Sequence, residues 1–325
     1  MKTIVHNSLD AAFWFATEEY VMHSPKFTEE YFMLWRTIPT LMIGRFQNTL
    51  QEINPDFVKE NNIQIIRRNS GGGTIYTDPS AWQFSFITWK NKGEAKNFQV
   101  FTKPVIEALK KLGVPAEFNN RNDILAGGKK FSGNAQFSTR DRFLHHGSIL
   151  YDTNLDNLVM ALHVDDEKFI SKGIKSVRER VTNIRPFMNN DMESEEFSLA
   201  MLGLLAADME TYIPDVSDLE AIEKIRAEKF HSWEWNFGHS PEFNFKKSHR
   251  FEGGKVEVQL MVKNGIINRC SINGDFFAFT DMAAIESRFN GCRHHPDDIK
   301  KCLNTAYSEG MIYKVTTEEL SGLFF

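Results

Sequence analysis

The sequence predicts a chain that mixes helices with strands and divides into two domains, a larger one over residues 1–245 and a small accessory one over 246–325. Segments with helical apolar spacing are interleaved with short segments that alternate apolar and polar residues. Beyond the aromatic cluster Ser232–Gly238, SWEWNFG, the pattern changes to that of tight hairpins. A length of 325 residues agrees, at the usual prior of about 150 residues per domain.

Taken in order, Asp10–Met22 sets Ala11, Phe15, Tyr20 and Met22 among acidic residues and reads as an amphipathic helix. Tyr31–Ile43 holds two apolar bursts interrupted at Pro39, which gives a strand, a turn and a strand. Ile63–Ile66 is a further short strand ending at Arg67. In Trp82–Ile87 the apolar Trp82, Phe84 and Phe86 alternate with Gln83 and Ser85, so one face of that strand is expected against a core. Val105, Leu109 and Leu112 stand at helical spacing, with Gly113 as the stop signal. Glu195–Asp208 and Leu219–Phe230 are helical by the same spacing, and Ser217 with Glu220 forms a capping box for the second. These two helices are expected to flank the site without forming it. In the last domain Gly253 and Gly254 precede Val256, Val258, Leu260 and Val262 in strict alternation. Asn264 and Gly265 make the turn, and Ile266–Ile272 supplies the return strand.

Composition excludes several classes of function. With 38 basic and 43 acidic residues the net charge is −5, so no overall basic field exists for gripping nucleic acid. The longest nearly unbroken apolar stretch, Leu199–Ala207, is about half of the roughly 20 residues that cross a bilayer, so no membrane span is expected. The opening MKTIVHNSLD turns polar too early for a secretory signal, which predicts a cytoplasmic protein. Cys270, Cys292 and Cys302 are odd in number and suggest no disulfide framework. All three lie beyond residue 269, so a cysteine nucleophile in the large domain is excluded. Cys292, His294, His295 and Cys302 lack the spacing of a zinc site and read as structural or incidental.

Four segments carry residues suited to chemistry. In Arg67–Asp78, RRNSGGGTIYTD, three consecutive glycines permit positive φ and close backbone approach, and Arg67 and Arg68 add positive charge. The run reads either as a tight surface turn or as an anion site, and Ser70 favours the anion. Neither the phosphate-loop nor the dinucleotide spacing is present. In Arg121–Gln136, RNDILAGGKKFSGNAQ, a Gly-Gly turn separates Asp123 from Lys130, so a hairpin would bring acid and lysine to one pocket. The alternative is that Lys129 and Lys130 are a solvated pair. His145 and His146 are adjacent on a strand and point to opposite faces, which argues against a shared metal. Finally Lys172, Lys175, Arg178 and Arg180, broken by Gly173, Ser176 and Val181, read as an exposed charged face or as an ordered loop over a charged ligand.

In their order along the chain these segments resemble the lipoate-protein ligase family. RRNSGGG is similar to its Arg-Arg-x-Ser-Gly-Gly-Gly signature, and RNDILAGGKKFSGNAQ to its Asp and Lys-x-Ser-Gly block. HHGSIL and KSVRERVTN are similar to its His-His-Gly and Ser-Val-x-x-Arg-Val-x-Asn blocks, and GRFQN and SWEWNFG also match. The resemblance covers almost the whole chain, is most specific between residues 67 and 183, and is looser after 246.

The resemblance implies an α+β biotin/lipoate ligase-like catalytic domain, related to the core of class II aminoacyl-tRNA synthetases, followed by a small α+β accessory domain. It implies two steps. Lipoate and Mg-ATP give lipoyl-AMP and pyrophosphate, and the acyl group then passes to a lysine of a lipoyl domain, on a 2-oxoacid dehydrogenase E2 subunit or the glycine cleavage H protein. ATP and Mg²⁺ are the implied cofactors, lipoate the substrate, and a monomer the expected state. By matching position Lys130 and Asp123 are the catalytic residues, Lys130 bridging the lipoyl carboxylate and the α-phosphate. Asp123 either holds Mg²⁺ or orients the incoming amine. Arg68, Ser70, Gly71, Gly72, Gly73, His146 and Gly147 fall to the acyl substrate. Gly73, Thr74, Ile75, Tyr76, Asn122, Asp123, Lys130, Ser148, Lys175, Arg178 and Arg180 fall to the nucleotide, with the arginine-rich loop closing over the adenylate. One departure stands out. Where the family reads His-Asp-x-Gly-Asn, this chain has Thr77-Asp78-Pro79-Ser80-Ala81, which implies a variant acyl pocket or a specialised acceptor. Competing readings are an ATP-independent lipoyl or octanoyl transferase and a non-catalytic lipoate-binding protein.

Overall fold

The computed structural model describes residues 1–90, 97–119, 121–162, 179–237, 245–306 and 311–325. Their contacts group them into two compact units. One comprises Met1–Met42, Glu52–Arg67 and Ile75–Asn236, the other Ile43–Gln51, Arg68–Thr74 and Phe237–Phe325. The grouping is discontinuous along the chain, which a change in hydrophobic pattern does not register.

The first unit is built on a mixed eight-stranded sheet of order β11-β1-β2-β6-β10-β9-β8-β7. Its strands are β1 (Lys2–Ile4), β2 (Tyr31–Trp35), β6 (Ala81–Trp89), β7 (Ala116–Phe118), β8 (Asp123–Ala126), β9 (Lys129–Ser138), β10 (Arg142–Leu150) and β11 (Glu210–Tyr212). A small sheet of order β4-β3-β5 uses β3 (Thr40–Ile43), β4 (Gln64–Arg67) and β5 (Ile75–Thr77). The two bursts around Pro39 are therefore both strands, but they join different sheets.

Helix α1 (Ala11–His23) begins where Asp10 accepts the Ala12 N–H at 2.9 Å. It is not amphipathic as the acidic residues suggested. Ala11 through Glu18 are all buried, because the helix is packed between Met33, Trp35, Ile87 and Leu144 of the sheet and Ile222 and Phe230 beyond it. The other sheet face packs on Phe101, Val105, Ile106, Leu109, Phe197 and Met201. β6 consequently has no solvent face: its residues from Ala81 to Thr88 are all buried, and the Gln83–Ser85 side that reads as polar lies under α1. Each large apolar side chain so buried contributes about 1.5–3 kcal/mol.

The later helices fall close to expectation. Phe98–Lys111 ends before Gly113, whose φ is +98°. Ser194–Leu205 and Val216–Ile225 follow, the second continued by a wider turn over Arg226–Phe230. Its cap is corrected from Ser217 and Glu220 to Asp215 and Asp218, each of which accepts the other's backbone N–H at 3.0 and 3.1 Å. The box sits two residues earlier because the helix starts at Val216.

In the second unit β12 (Phe245–Phe251), β13 (Gly254–Lys263) and β14 (Ile266–Gly274) form a meander. Asn264 and Gly265 turn with φ of +53° and +75°. Val256, Val258, Leu260, Ile267 and Ile272 face Phe276, Phe289, Ile299, Leu303 and Phe324. Cys292 and Cys302 are brought side by side as a local pair, and Cys270 stays free and buried. An odd count leaves one thiol over without preventing a local pair.

Candidate active site

The β8–β9 hairpin closes with Gly127 and Gly128 at φ of +56° and +76°, a turn that side-chain-bearing residues adopt only under strain. Its register sets Asp123 opposite Gly133 and Leu125 opposite Lys130, with a shift after Ile124. Lys130 Nζ lies 2.6 Å from Asp123 Oδ1, so the hairpin does bring acid and lysine together. Gly133 makes the room, since a Cβ there would stand 3.0 Å from Lys130 Nζ. Asn119 braces the acid, donating to Asp123 Oδ2 at 3.2 Å and accepting the Asp123 N–H at 3.0 Å. Asn122 donates to the Asn134 carbonyl at 2.9 Å. The Lys130 carbonyl accepts the Thr182 N–H at 2.9 Å, which ties the Val181–Asn183 block to the lysine strand.

A polar stripe crosses the same sheet face. Residues directly opposite on antiparallel strands share a face, and the register sets Gln83 opposite Ser148 and Trp35, and Ser85 opposite His146 and Met33. Ser148 Oγ accepts the Gly133 N–H at 3.2 Å. Glu18, reaching in from α1 with only 1% of its surface exposed, accepts Ser85 Oγ at 2.6 Å and contacts His146 Nδ1 at 3.0 Å. Trp35 Nε1 donates to Ser85 Oγ at 3.0 Å. Sequence reading missed Glu18, Trp35 and Gln83. The signal was the Gln83–Ser85 alternation in a strand too apolar on its other side to lie at a sheet edge.

His145 occupies the opposite face, its Nε2 3.2 Å from Asn134 Oδ1 and its Nδ1 3.2 Å from the Gln136 amide. Burial, with a smaller push from His146, holds its pKa well below the usual histidine value. Gly147 is a glycine for packing on that face, where a Cβ would meet Asn134 Oδ1 at 2.2 Å and the Phe84 ring at 2.4 Å. The depressed pKa has a testable consequence. Folded His145 stays neutral while the unfolded chain takes up a proton below about pH 6.5, so stability is complete above that pH and falls as pH drops toward the folded value. The expected loss from this group is about 1 kcal/mol at pH 5.5. Denaturant melts at pH 7.5 and 5.5 measure it, and His145→Gln should flatten the dependence.

The arginine-glycine run is built differently from its sequence reading. Arg67 and Arg68 are both buried and bonded to backbone. Arg67 donates to the carbonyls of Trp235 and Asn236, while Asn236 accepts the Arg67 N–H at 2.8 Å, which gives SWEWNFG its use. Arg68 donates to the Gly71 and Gly73 carbonyls at 2.8 and 2.7 Å and to Ser70 Oγ at 3.1 Å. Arg68 thus braces the glycine loop, while Arg67 ties the end of β4 to Trp235 and Asn236. Packing also demands the glycines: a Cβ on Gly71 would stand 2.3 Å from the Phe276 carbonyl, and Gly72 alone of the three has positive φ, +91°. GRFQN braces the loop, with the Arg45 N–H on the Ser70 carbonyl at 2.9 Å and Gln47 Oε1 accepting from Thr74 Oγ1 at 3.0 Å. Ile75 and Tyr76 pair with Met42 and Leu41 in the small sheet. Lys172, Lys175 and Arg178 lie outside the described residues; Arg180 is exposed.

Asp78 is buried and accepts the Asn154 and Ser80 N–H groups at 2.9 and 3.0 Å, and burial pushes its pKa up. Nearby, Lys129, Thr153–Asp156 and Val181–Asn183 line a polar cleft of about 400 Å³. Among the described residues no group of three or more His, Cys, Asp or Glu side chains could hold a metal ion. No helix among them is long and apolar enough to cross a membrane.

Residues 10–206 match the family model described as the lipoyl protein ligase A/B catalytic domain, and residues 240–324 match that of the bacterial lipoate protein ligase C-terminus. The chain is 39% identical to lipoate–protein ligase 1 of Staphylococcus aureus over 307 residues, 94% of each chain. It is 39% identical to lipoate-protein ligase LplJ of Bacillus subtilis over 315 residues, 95% of each. In fold it is similar to the crystal structure of P. falciparum LipL1 in complex with lipoate, with a TM-score of 0.80 at 23% identity, covering 99% of this chain and 98% of that one.

Proposed function

Since the chain belongs to the lipoyl protein ligase A/B family, we propose that it is a lipoate–protein ligase that activates lipoate with ATP and transfers the lipoyl group to a lysine of an acceptor protein. The observation that carries this reading is the Lys130–Asp123 pair at 2.6 Å, set beside a glycine that keeps the space around it open. A carboxylate attacking an α-phosphate brings two anions together, and fixed positive charge at that point lowers the barrier. Lys130 Nζ supplies the charge, bridging the carboxylate and the phosphate and then polarising the acyl carbonyl. Further support comes from a similar structure described as lipoate-protein ligase A bound with ATP, with a TM-score of 0.62 at 25% identity, covering 73% of this chain and 98% of that one.

By matching position the Arg68–Gly73 loop is assigned to the acyl-phosphate, and Thr74, Ile75, Tyr76, Asn122 and Ser148 to the nucleotide. His146, with its partner Glu18, and Gly147 border the acyl chain. Mg²⁺ fits as the partner of ATP phosphates, because it is usually held by one or two carboxylates and keeps several waters; Asp123 is the carboxylate on hand. When bound it would neutralise phosphate charge. Asp123 positions Lys130 before substrate enters.

The acceptor is a lipoyl domain, of the E2 or H-protein kind; an archaeal relative of similar fold is described together with its E2 lipoyl domain. The enzyme works in the cytoplasm as a monomer. An ATP-independent transferase of the cysteine-dependent kind would need a thiol in the first unit, and the chain's cysteines all lie at 270 and beyond. Mixing the protein with Mg-ATP, lipoate and a lipoyl domain should add one lipoyl mass to the acceptor. A gain that persists without ATP, or no gain at all, would sink the reading.

A further inference from the structure

Gln83 is buried, with 3% of its surface exposed, and as placed its Oε1 has no hydrogen-bond partner among the described residues. Its Nε2 donates to Thr77 Oγ1 at 2.8 Å, and Thr37 Oγ1 donates to the same Thr77 oxygen at 3.5 Å. Leaving one end of a buried amide unmatched is costly, so a group outside the protein is the expected partner. The position of Gln83 says which group. It lies opposite Ser148 on β10, and Ser148 Oγ accepts the N–H of Gly133, the residue that abuts Lys130 Nζ. β6, β10 and β9 are adjacent strands, so Gln83 and the lysine strand are separated by two strand spacings, about 10 Å. Two long side chains reaching from either side close that gap around a small group.

We infer that Gln83 is a substrate-binding residue whose side-chain amide donates to the carboxylate of the acyl substrate, opposite Lys130. This rests on the ligase reading and names the contact that fixes its acid. Amide oxygen and nitrogen exchange places by a half-turn of the side chain. With the amide turned, Thr37 donates to Thr77, Thr77 donates to Gln83 Oε1, and the NH₂ group is left for a carboxylate, which offers only acceptors. The departure in Thr77-Asp78-Pro79-Ser80-Ala81 fits this arrangement. The family's terminal Asn falls at Ala81, two residues before Gln83 and therefore on the same face of β6. The chain keeps a carboxamide on that face, one strand repeat further along.

The test is ATP–pyrophosphate exchange driven by lipoate or by octanoate. Gln83→Leu should raise KM for both acids about tenfold or more, the scale of one hydrogen bond to a charged group, and leave KM for ATP within about twofold. Ala81→Asn placed in the Gln83→Leu background should recover at least about threefold of that loss by restoring an amide to the face, which a merely structural role for Gln83 would not permit. An acid KM within about twofold of wild type in Gln83→Leu, or an equal rise in KM for ATP, overturns the inference while leaving the ligase reading intact. Should Gln83→Leu not fold, Thr77→Val decides: about a threefold rise in acid KM supports the amide chain, and no rise overturns it. A wild-type chain without lipoate-dependent exchange overturns the ligase reading itself.

Discussion

Lys130→Ala is expected to lower the rate of lipoyl-AMP formation by about 10²–10³, the loss that follows removal of one pre-placed charge stabiliser. That corresponds to about 3–4 kcal/mol of transition-state energy. The site supplies the reason. Lys130 is held by Asp123 at 2.6 Å and by the strand contact of its carbonyl with Thr182, so the ammonium is positioned before substrate enters. Little reorganisation remains at the moment of reaction, and that is what makes a fixed charge effective. Stability should fall only modestly: the Lys130 side chain is 39% exposed, whereas the Asp123 Oδ1 it pairs with is buried and would lose that partner. Single-turnover adenylate formation measures the effect, and a rate within about threefold of wild type would count against the assignment.

Gly71→Ala should cost about as much activity by a different route. The new Cβ would stand 2.3 Å from the Phe276 carbonyl oxygen and 3.2 Å from Phe277 Cα. Both are backbone atoms, and they are held where the Gly72 N–H donates to that same carbonyl at 2.9 Å. Neither backbone segment yields cheaply, so overpacking of about 1–3 kcal/mol is expected, together with a displaced loop. Adenylation should fall about a hundredfold if that loop covers the acyl-phosphate. Gly203→Ala, at an exposed helical position with nothing within 4 Å, should be neutral or slightly stabilising. Thermal melts and the adenylation rate on both variants check the contrast, and an unchanged Gly71→Ala would contradict it.

These two residues also mark how far the sequence was legible. The Asp123–Lys130 pair was readable because its geometry is local: a Gly-Gly turn between apolar residues fixes a hairpin, and a hairpin fixes which side chains meet. The same holds for Asn264-Gly265 and for the helix ending before Gly113. The use of Arg67 and Arg68 was not readable. Residue type records the charge of a guanidinium, whereas its partners here are carbonyls brought near by the fold, including those of Trp235 and Asn236. Glu18 with His146 is a contact across 128 positions, and no local pattern announces it. β12 was missed because its run Lys246–Arg250 is exposed on both sides, so it carries no hydrophobic period. The cap of the helix at Val216 was misplaced by two residues because acidic and hydroxyl caps compete at neighbouring positions.

The most direct test is a crystal structure of the protein with lipoyl-AMP bound. Lys130 Nζ should lie about 2.7–2.9 Å from an acyl oxygen and from an α-phosphate oxygen at once, the spacing of charge-assisted hydrogen bonds. An adenylate in place with Nζ still on Asp123 alone, or turned out to solvent, would contradict the account.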